Sequence, residues 1–230
     1  MREGFVCPQL IRPQDLKAVE ALYSHRAGEP QHGRWFRITE PLMRTMAYRQ
    51  NPTCVLAVFE QPQWCLETLA TACNHGPDLW LVAVGTMKPG NLGAMARSAE
   101  AAGASGVLAA DGVVDPFNPN CMEASTAAVT HMPVVVGASQ DIVAFLRQRH
   151  VQVITTMPRA HISYTQVDMT LPTALVIGAE DHGLPVTWMQ TGGTMSQTVS
   201  IPILGRVVDS LNASVAAAIV LFEAVRQRGP

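Results

Sequence analysis

The strongest constraint on the fold of this chain is an alternation of short apolar runs and helix-like segments that begins at Leu79 and continues to the C-terminus. Such an alternation is typical of a parallel β-sheet whose consecutive strands are joined by helices. Several runs are apolar throughout, as strands covered on both faces require. We therefore predict an α/β fold with a parallel sheet, with strands at 79–84, 106–110, 134–136, 151–155, 174–177 and 199–203 and helices near 92–102, 121–129, 142–149, 186–190 and 210–227.

The pattern in residues 200–230 predicts a short strand, a glycine bend and a helix that begins with polar side chains at 209–214. A helix N-terminus favours anions and offers free N–H donors. Apolar residues recur with helical spacing and predict one buried face, formed by Val215, Ala218, Ile219, Phe222 and Val225. The opposite side is apolar too, at Ala216, Ala217, Val220 and Ala224. Such a helix needs a second covering surface, either a neighbouring layer of the same chain or a partner subunit.

A shorter β-α-β-α-β pattern precedes the alternating region. Strands are predicted at 5–7, 35–38 and 54–59, and helices at 13–24 and 40–48. The polar, proline-containing stretch 60–63 predicts a boundary. We therefore expect a small N-terminal domain at 1–60, a linker with a helix at 61–77 and a larger domain at 78–230.

Composition and short motifs exclude several classes of protein. The chain is 48% apolar, enough for a core, but no run approaches the length of a membrane span. The N-terminus lacks the apolar stretch of a secretory signal, so we expect a cytoplasmic protein with no membrane partner. The five cysteines include no C-x-x-C pair, so neither a disulfide framework nor a metal site is predicted. The absence of glycine-rich phosphate motifs leaves a dinucleotide or P-loop fold without support.

Basic residues are concentrated at the N-terminal end. The net charge is −2, but residues 1–50 contain eight basic and five acidic residues, a net of +3 that leaves −5 for the remainder. Four arginines lie among the aromatic residues Trp35, Phe36 and Tyr48, namely Arg34, Arg37, Arg44 and Arg49. Cations mixed with stacking rings suit RNA. A solvated basic face with its aromatic rings turned into a core is the alternative.

Three motifs stand in order along the larger domain: residues 91–97 (NLGAMAR), 175–185 (LVIGAEDHGLP), and 201–205 (IPILG) followed by 210–216 (SLNASVA). Together they resemble the motifs of the SPOUT superfamily, specifically the SpoU/TrmH-type RNA 2′-O-ribose methyltransferases. The resemblance implies a C-terminal trefoil knot and a homodimer formed through the C-terminal helix region. The N-terminal pattern resembles the latter part of the small ribosomal-protein-like RNA-binding domain found in front of many family members. It lacks that domain's usual opening strand and helix, so we expect a shortened version.

The same resemblance implies an activity and the residues that perform it. The implied reaction transfers a methyl group from S-adenosylmethionine to a ribose 2′-hydroxyl of a structured ribosomal or transfer RNA, without a metal. The implied catalytic residues are Arg97, Asn91, Glu180, Ser210 and Asn212. The backbone around Gly178, Ile201 and Leu211 is implied to hold the methyl donor, and Thr155 and Thr156 are implied to contribute at the end of the preceding strand.

Each of these residues also has a purely structural interpretation. Asn91 can cap a helix that begins at Leu92, and Arg97 can be an ordinary surface arginine. Gly178 ends an apolar strand at the carboxyl edge of the sheet, where open α/β folds bind ligands, but Glu180 can belong to a solvated turn. Ser210 can act as an N-cap alone, a role that does not explain Asn212.

The resemblance makes Arg97 the residue that activates the 2′-hydroxyl. A guanidinium group loses its proton only above about pH 12, so an arginine acts as a literal base only in an unusual environment. The alternative is that Arg97 holds the neighbouring phosphate and stabilises the developing alkoxide. Both roles stay open at the level of sequence.

Two positions depart from the family pattern. Members usually carry an acidic residue two positions before the Pro-Gly of the first motif, where this chain has Met87 followed by Lys88. Glu123 stands where an arginine is common. These changes are compatible with a different substrate, reduced activity or a local salt bridge between Lys88 and Glu123. They also permit a second hypothesis, a non-catalytic RNA-binding protein that keeps the fold.

Overall fold

The computed structural model describes residues 1–24, 33–70, 76–179, 183–189 and 196–229. The chain divides into two compact units, Met1–Pro62 and Gln63–Pro230.

The first unit is built on a three-stranded sheet with the order β2-β1-β3. Strand β1 pairs in parallel with β2 and antiparallel with β3. Its core includes Val6, Cys7, Val19 and Met43. The five elements follow the predicted order, with bounds within three residues of those predicted: β1 (Glu3–Val6), α1 (Leu16–Ser24), β2 (Arg34–Arg37), α2 (Glu40–Met46) and β3 (Val55–Val58).

The second unit contains a seven-stranded sheet with the order β6-β5-β4-β9-β7-β10-β8. All pairings in this sheet are parallel, which confirms the predicted α/β class with a parallel sheet. Its strands are β4 (Leu79–Val84), β5 (Gly106–Ala110), β6 (Val134–Gly137), β7 (Gln152–Thr156), β8 (Ile162–Ser163), β9 (Thr173–Ile177) and β10 (Ser196–Ser200). Its helices are α3 (Leu66–Ala70), α4 (Pro89–Ala101), α5 (Pro119–Ala124), α6 (Ser139–Gln148), α7 (Val186–Met189) and α8 (Ala213–Arg228).

Helices cover both faces of this sheet, as the apolar strands require. On one face, Leu81 of β4 belongs to a core cluster with residues of α4, α5 and α8. On the other face, Trp80 and Val82 belong to a cluster with residues of α3, α6 and α7. Because successive residues of β4 point to opposite faces, this single strand contributes to both cores.

Strand β10 and the segment after it differ from the prediction. The strand predicted at 199–203 lies at Ser196–Ser200, and residues 201–212 form no regular element. Four of the five residues of β10 are polar, and only Val199 is buried. The strand was therefore predicted at the apolar run that follows it, a few residues too late in the chain. Pro202, which has no N–H to donate to a ladder, is consistent with the end of the strand before it.

Helix α8 begins at Ala213 rather than at Ser210, and its buried face is opposite to the one predicted. The side chains that pack into the core are Ala213, Ala217, Val220, Leu221 and Ala224. Val215 and Phe222, which were predicted to be buried, are 47% and 48% exposed. The helix has no strongly polar side along most of its length, so periodicity alone could not tell its inner face from its outer face.

None of the helices within the described ranges is long and apolar enough to cross a membrane.

Candidate active site

A cavity of about 170 Å³ in the second unit lies at the carboxyl ends of β7 and β9. This edge is where open α/β sheets bind their ligands. Three stretches of chain enclose the cavity, one after β7, one after β9 and one between β10 and α8. The residues that line it are Thr156, Met157, Pro158, Ile177, Gly178, Ala179, Gly183, Leu184, Ile201, Ile203, Ser210, Leu211, Ala213 and Ala216.

Gly178 lets two backbone segments approach each other closely in the wall of this cavity. A Cβ atom at position 178 would lie 2.8 Å from the carbonyl carbon and 2.9 Å from the oxygen of Gly183. Gly183 has a φ of +67° and donates its N–H to the oxygen of Ala179 at 3.1 Å. The wall therefore depends on glycine at both positions, because any side chain at 178 clashes and a positive φ strains other residues. Glu180, a predicted catalytic residue, lies outside the described residues.

The two predicted threonines hold the floor of the cavity together. Thr156 lines the cavity and donates its hydroxyl to the oxygen of Val176 at 3.1 Å, which joins β7 to β9. Thr155 is fully buried, and its Oγ1 lies 2.9 Å from Oγ1 of Thr198, which joins β7 to β10. Thr155 therefore supports the cavity without lining it.

A smaller cavity of about 30 Å³ adjoins the larger one. The two share Gly178, Ala179 and Ala213 as a common wall. The rest of the smaller cavity is formed by the turn after β4 and the first turn of α4, namely Gly85, Thr86, Met87, Lys88 and Asn91.

Asn91 and Asn212 come together across the two motifs that contain them. Nδ2 of Asn212 donates to Oδ1 of Asn91 at 3.2 Å. Asn212 also caps α8, because its Oδ1 accepts from the N–H groups of Ser214 at 2.9 Å and Val215 at 3.4 Å. The side-chain amide of Asn212 thus fixes where α8 begins and also links the start of α8 to α4.

The capping roles predicted from the sequence are corrected. Helix α4 begins at Pro89 with Lys88 at the N-cap position, so Asn91 lies in the first turn and is not the cap. Ser210 precedes α8 by three positions, and its hydroxyl donates to Asp209 at 3.3 Å. Its interpretation as an N-cap is therefore wrong, and Asn212 has that role.

The other predicted site residues separate into two groups. Thr156, Gly178, Ile201, Ser210 and Leu211 all line the larger cavity. Arg97 is exposed on α4 and is not among the residues that line either cavity. Six residues of α-helix separate it from Asn91, a rise of about 9 Å.

A buried polar chain behind the cavity was not predicted. Trp188 of α7 is fully buried and donates its indole N–H to the hydroxyl of Ser139 at 2.7 Å. Ser139 donates its N–H to the carboxylate of Asp111 at 2.8 Å, and its hydroxyl donates to the same carboxylate. Because α7 follows Leu184, this chain anchors the wall that contains Gly183 and Leu184. Nothing in the sequence pairs these three residues, which belong to different elements.

The four predicted RNA-binding arginines lie in the first unit. Arg34 donates to Glu3 at 2.9 Å and lies 5.6 Å from the centre of the Phe36 ring. Arg44 donates to Glu40 at 2.7 Å, and all four arginines are exposed. Neighbouring carboxylates thus partly offset the positive charge of Arg34 and Arg44.

No group of three or more histidine, cysteine, aspartate or glutamate side chains within the described ranges is arranged to hold a metal ion.

Residues 78–222 match the model of the SpoU rRNA Methylase family. The 23S rRNA (guanosine-2′-O-)-methyltransferase RlmB of Ralstonia nicotianae is 40% identical over 155 residues, 67% of this chain and 61% of that protein. The 23S rRNA (uridine(2479)-2′-O)-methyltransferase of Streptomyces viridochromogenes is 30% identical over 238 residues, 95% of this chain and 81% of that protein. The chain thus spans about three fifths of the length of the RlmB relative.

A solved structure shares the fold over almost the whole chain. The SpoU methyltransferase AviRb from Streptomyces viridochromogenes, in complex with the cofactor AdoMet, superposes with a TM-score of 0.78 at 26% identity. The superposition covers 99% of this chain and 83% of that one.

Proposed function

This chain belongs to the SpoU rRNA Methylase family, and on that basis we propose that it transfers a methyl group from S-adenosylmethionine to a ribose 2′-hydroxyl of ribosomal RNA. The observation that carries the proposal is the larger cavity, which residues 177–179, residues 183–184 and residues of the range 201–216 line from two sides. Two of the three sequence motifs thus contribute to one cavity, and the third contributes Asn91 to the cavity beside it. The proposed substrate implies a protein of the cytoplasm.

The residues of the larger cavity suit S-adenosylmethionine. Most lining side chains are apolar, and Gly178 exposes backbone at the end of β9, a combination that fits a flat adenine ring with a polar edge. The backbone around Gly178, Ile201 and Leu211 would hold the molecule, and Ser210 would add a hydroxyl. When bound, S-adenosylmethionine supplies a methyl group activated by its sulfonium. The protein then has to position the two reactants and exclude water, which gives most of the rate gain for such a reaction.

Arg97 is proposed to hold an RNA phosphate and stabilise the developing alkoxide. Its exposure on α4 supports this role, because an exposed guanidinium is accessible to an RNA phosphate. Arg97→Lys keeps the charge but loses the bidentate fork, so we expect methyl transfer to slow by at least tenfold. Methyl transfer by Arg97→Lys at the wild-type rate would exclude the bidentate role.

We propose that the chain acts as a homodimer. The outward face of α8 carries Val215 and Phe222, each about half exposed, and the preceding segment carries Leu204 at 94% and Val207 at 98% exposure. Large exposed apolar side chains are common at interfaces between subunits. Sedimentation at micromolar concentration should show a dimer, and Phe222→Glu should shift it to the monomer. A wild-type monomer at that concentration would remove the proposal.

The trefoil knot also belongs to the proposal. Strand β10 lies beyond β7 in the sheet, whereas α8, twelve residues later, packs against α4. The intervening segment must therefore cross the ends of β7 and β9, as a chain threaded through a knot does. Among known folds such threading is rare.

The first unit is proposed to be a shortened ribosomal-protein-like domain that contacts structured RNA. Arg34, Arg37, Arg44 and Arg49 are the proposed contacts, and the exposed Phe36 ring adds a surface for stacking. Because Glu3 and Glu40 offset two of the charges, we expect Arg37→Gln to weaken RNA binding more than Arg34→Gln.

Three measurements test the function as a whole. Calorimetry should show binding of S-adenosylmethionine, and the purified protein should transfer its labelled methyl group to protein-free 23S RNA. Ribose-methylation maps of total RNA from cells with and without the gene should then differ at one nucleotide. A protein that binds RNA without binding S-adenosylmethionine would support the non-catalytic alternative.

A further inference from the structure

Two cysteines of the first unit lie opposite each other at the end of its sheet. The antiparallel register of β1 and β3 pairs Val6 with Val55, so the next pair along the two chains is Cys7 and Cys54. The N–H of Cys7 donates to the oxygen of Cys54 at 2.8 Å, and Cys7 keeps an extended backbone with a φ of −109° and a ψ of 100°. Both thiols are free. Because directly opposite residues of a sheet point to the same face, these two side chains are neighbours.

The spacing of this pair permits a disulfide bond. The Cα atoms of a hydrogen-bonded antiparallel pair lie about 5.5 Å apart, and those of disulfides lie about 4.4–6.8 Å apart. The Cβ atoms of such a pair are farther apart than the ~3.8 Å of a relaxed disulfide, so the two chains must draw together slightly. Cys54 can make that movement, because residues 51–54 belong to no helix or strand. A bond formed under such strain is reduced more readily than a structural disulfide.

The two thiols differ in their access to solvent, as the two steps of thiol–disulfide exchange require. Cys54 is half-buried and lies near Arg12, whose pKa is raised mainly by its hydrogen bond to Asp15 and to a smaller extent by Cys54. Cysteines that attack disulfides typically lie in partly exposed sites beside cationic groups. Cys7 is fully buried, and its sulfur donates to Oε1 of Gln9 at 3.3 Å. An external disulfide can therefore reach Cys54 first, and Cys7 can react only afterwards.

We propose that Cys7 and Cys54 form a reversible redox site that exchanges with low-molecular-weight disulfides of the glutathione type. The thiolate of Cys54 attacks one sulfur of the small disulfide, whose S–S bond breaks and releases one small thiolate. The thiolate of Cys7 then attacks Sγ of Cys54, forms the bond between the two chains and releases the second small thiolate. The protons of the two cysteines go to the two released thiolates. One small disulfide is thus reduced to two thiols for each cysteine pair that is oxidised.

Other roles for the pair agree less well with the structure. A structural metal site uses about four ligands, and within the described ranges no third histidine, cysteine, aspartate or glutamate side chain is placed to hold an ion with the two cysteines. A permanent disulfide is uncommon in the cytoplasm, where the disulfides that do form are mostly transient or redox-sensing. A strained bond that forms and breaks with the thiol–disulfide balance agrees with both points. Its test is independent of the proposed methyl transfer, because the bond forms or fails to form whatever the activity of the chain.

The first test is a titration of the purified full chain with glutathione disulfide. Digestion after lysine, arginine and glutamate should then leave residues 4–17 linked to residues 50–60, because the bond between Arg12 and Pro13 resists cleavage. Each of these two peptides contains a single cysteine, so the link identifies the pair. Reduced glutathione in excess should separate the peptides again. A chain that carries glutathione on Cys54 and never forms the linked peptides would overturn the proposal.

The second test compares three variants under the same titration. Cys54→Ser should abolish the linked peptides and lose two fewer free thiols than the wild type. Cys65→Ser is the matched control, because Cys65 is also a half-buried free thiol but belongs to the second unit, and it should form the linked peptides at the wild-type rate. Cys7→Ala should stop the exchange at its first step and accumulate glutathione on Cys54. Loss of the linked peptides in Cys65→Ser, or a Cys7→Ala chain without the glutathione adduct, would show that the proposed exchange is wrong.

Discussion

Replacing Gly178 by alanine should damage the methyl-donor cavity without touching any polar group. The new Cβ would lie 2.8 Å from the carbonyl carbon and 2.9 Å from the oxygen of Gly183, and 3.1 Å from Cγ of Leu184. Two of these three atoms belong to backbone, so a side-chain rotation cannot relieve the contact. The segment that begins at Gly183 has to move outward.

The size of the effect follows from these distances. Unbonded carbon atoms are most stable at about 3.5–4.0 Å, so the backbone at Gly183 must shift by about 0.7–1 Å. Overpacking of this degree costs about 1–3 kcal/mol. If the bound state needs the original wall, the affinity for S-adenosylmethionine falls by about 5- to 150-fold.

Gly137→Ala is the matched control. Gly137 also ends a strand of the same sheet, β6, but a Cβ there would meet only Ile142 at 3.8 Å, an ordinary contact. Both substitutions restrict the unfolded chain equally, so that contribution cancels between them. Calorimetric titration with S-adenosylmethionine should show near wild-type affinity for Gly137→Ala and the loss given above for Gly178→Ala. If Gly178→Ala binds within twofold of the wild type, the wall is not part of the donor site.

Three further predictions concern the supports of the fold. Trp188→Phe deprives Ser139 of its 2.7 Å donor and should raise the Kd for S-adenosylmethionine severalfold in the same titration, with little change in KM for RNA. Arg228 donates to the backbone oxygens of four residues, so Arg228→Lys, which cannot reach all of them, should lower the free energy of unfolding in urea by about 2 kcal/mol. Hydrogen bonds from Arg226 lower the pKa of Glu223 from 4.5 to about 2, so the stability that this carboxylate contributes is complete above pH 4.5 and is lost as the pH falls toward 2. Urea midpoints measured across that range should fall less for Glu223→Gln than for the wild type.

The sequence predicted the strands that are buried on both faces, placed β10 a few residues too late in the chain and missed β8. Strands β4, β5 and β9 are buried at every position, so an uninterrupted apolar run marks each of them. Strand β10 consists mainly of polar residues, and β8 has only two residues, so neither has a pattern of its own. These two strands form because β7 offers an edge to β10, and β10 in turn offers one to β8. A neighbour supplied by the tertiary fold cannot be recognised from a local pattern.

The residues of the candidate site also fall into those that the sequence could predict and those that it could not. Gly178, Leu211 and Asn212 could be identified because motifs constrain the backbone where they stand. Met157 and Pro158 also line the cavity, but they lie beyond the end of β7, where only tertiary packing determines the path of the chain. The hydrogen bonds that link Trp188, Ser139 and Asp111 likewise join residues that are distant in sequence, so no sequence spacing predicts them.

The hydrogen bond between Asn212 and Asn91 joins two of the sequence motifs at the proposed site. Asn212 follows the segment that lines the larger cavity and caps α8, while Asn91 lies in the first turn of α4 at the smaller cavity. The position of α4 relative to the larger cavity is therefore fixed in part by this amide pair. Asn212→Ala removes the pair and loosens that alignment, so it should reduce kcat far more than it raises the Kd for S-adenosylmethionine, because alignment of the two reactants contributes mainly to kcat.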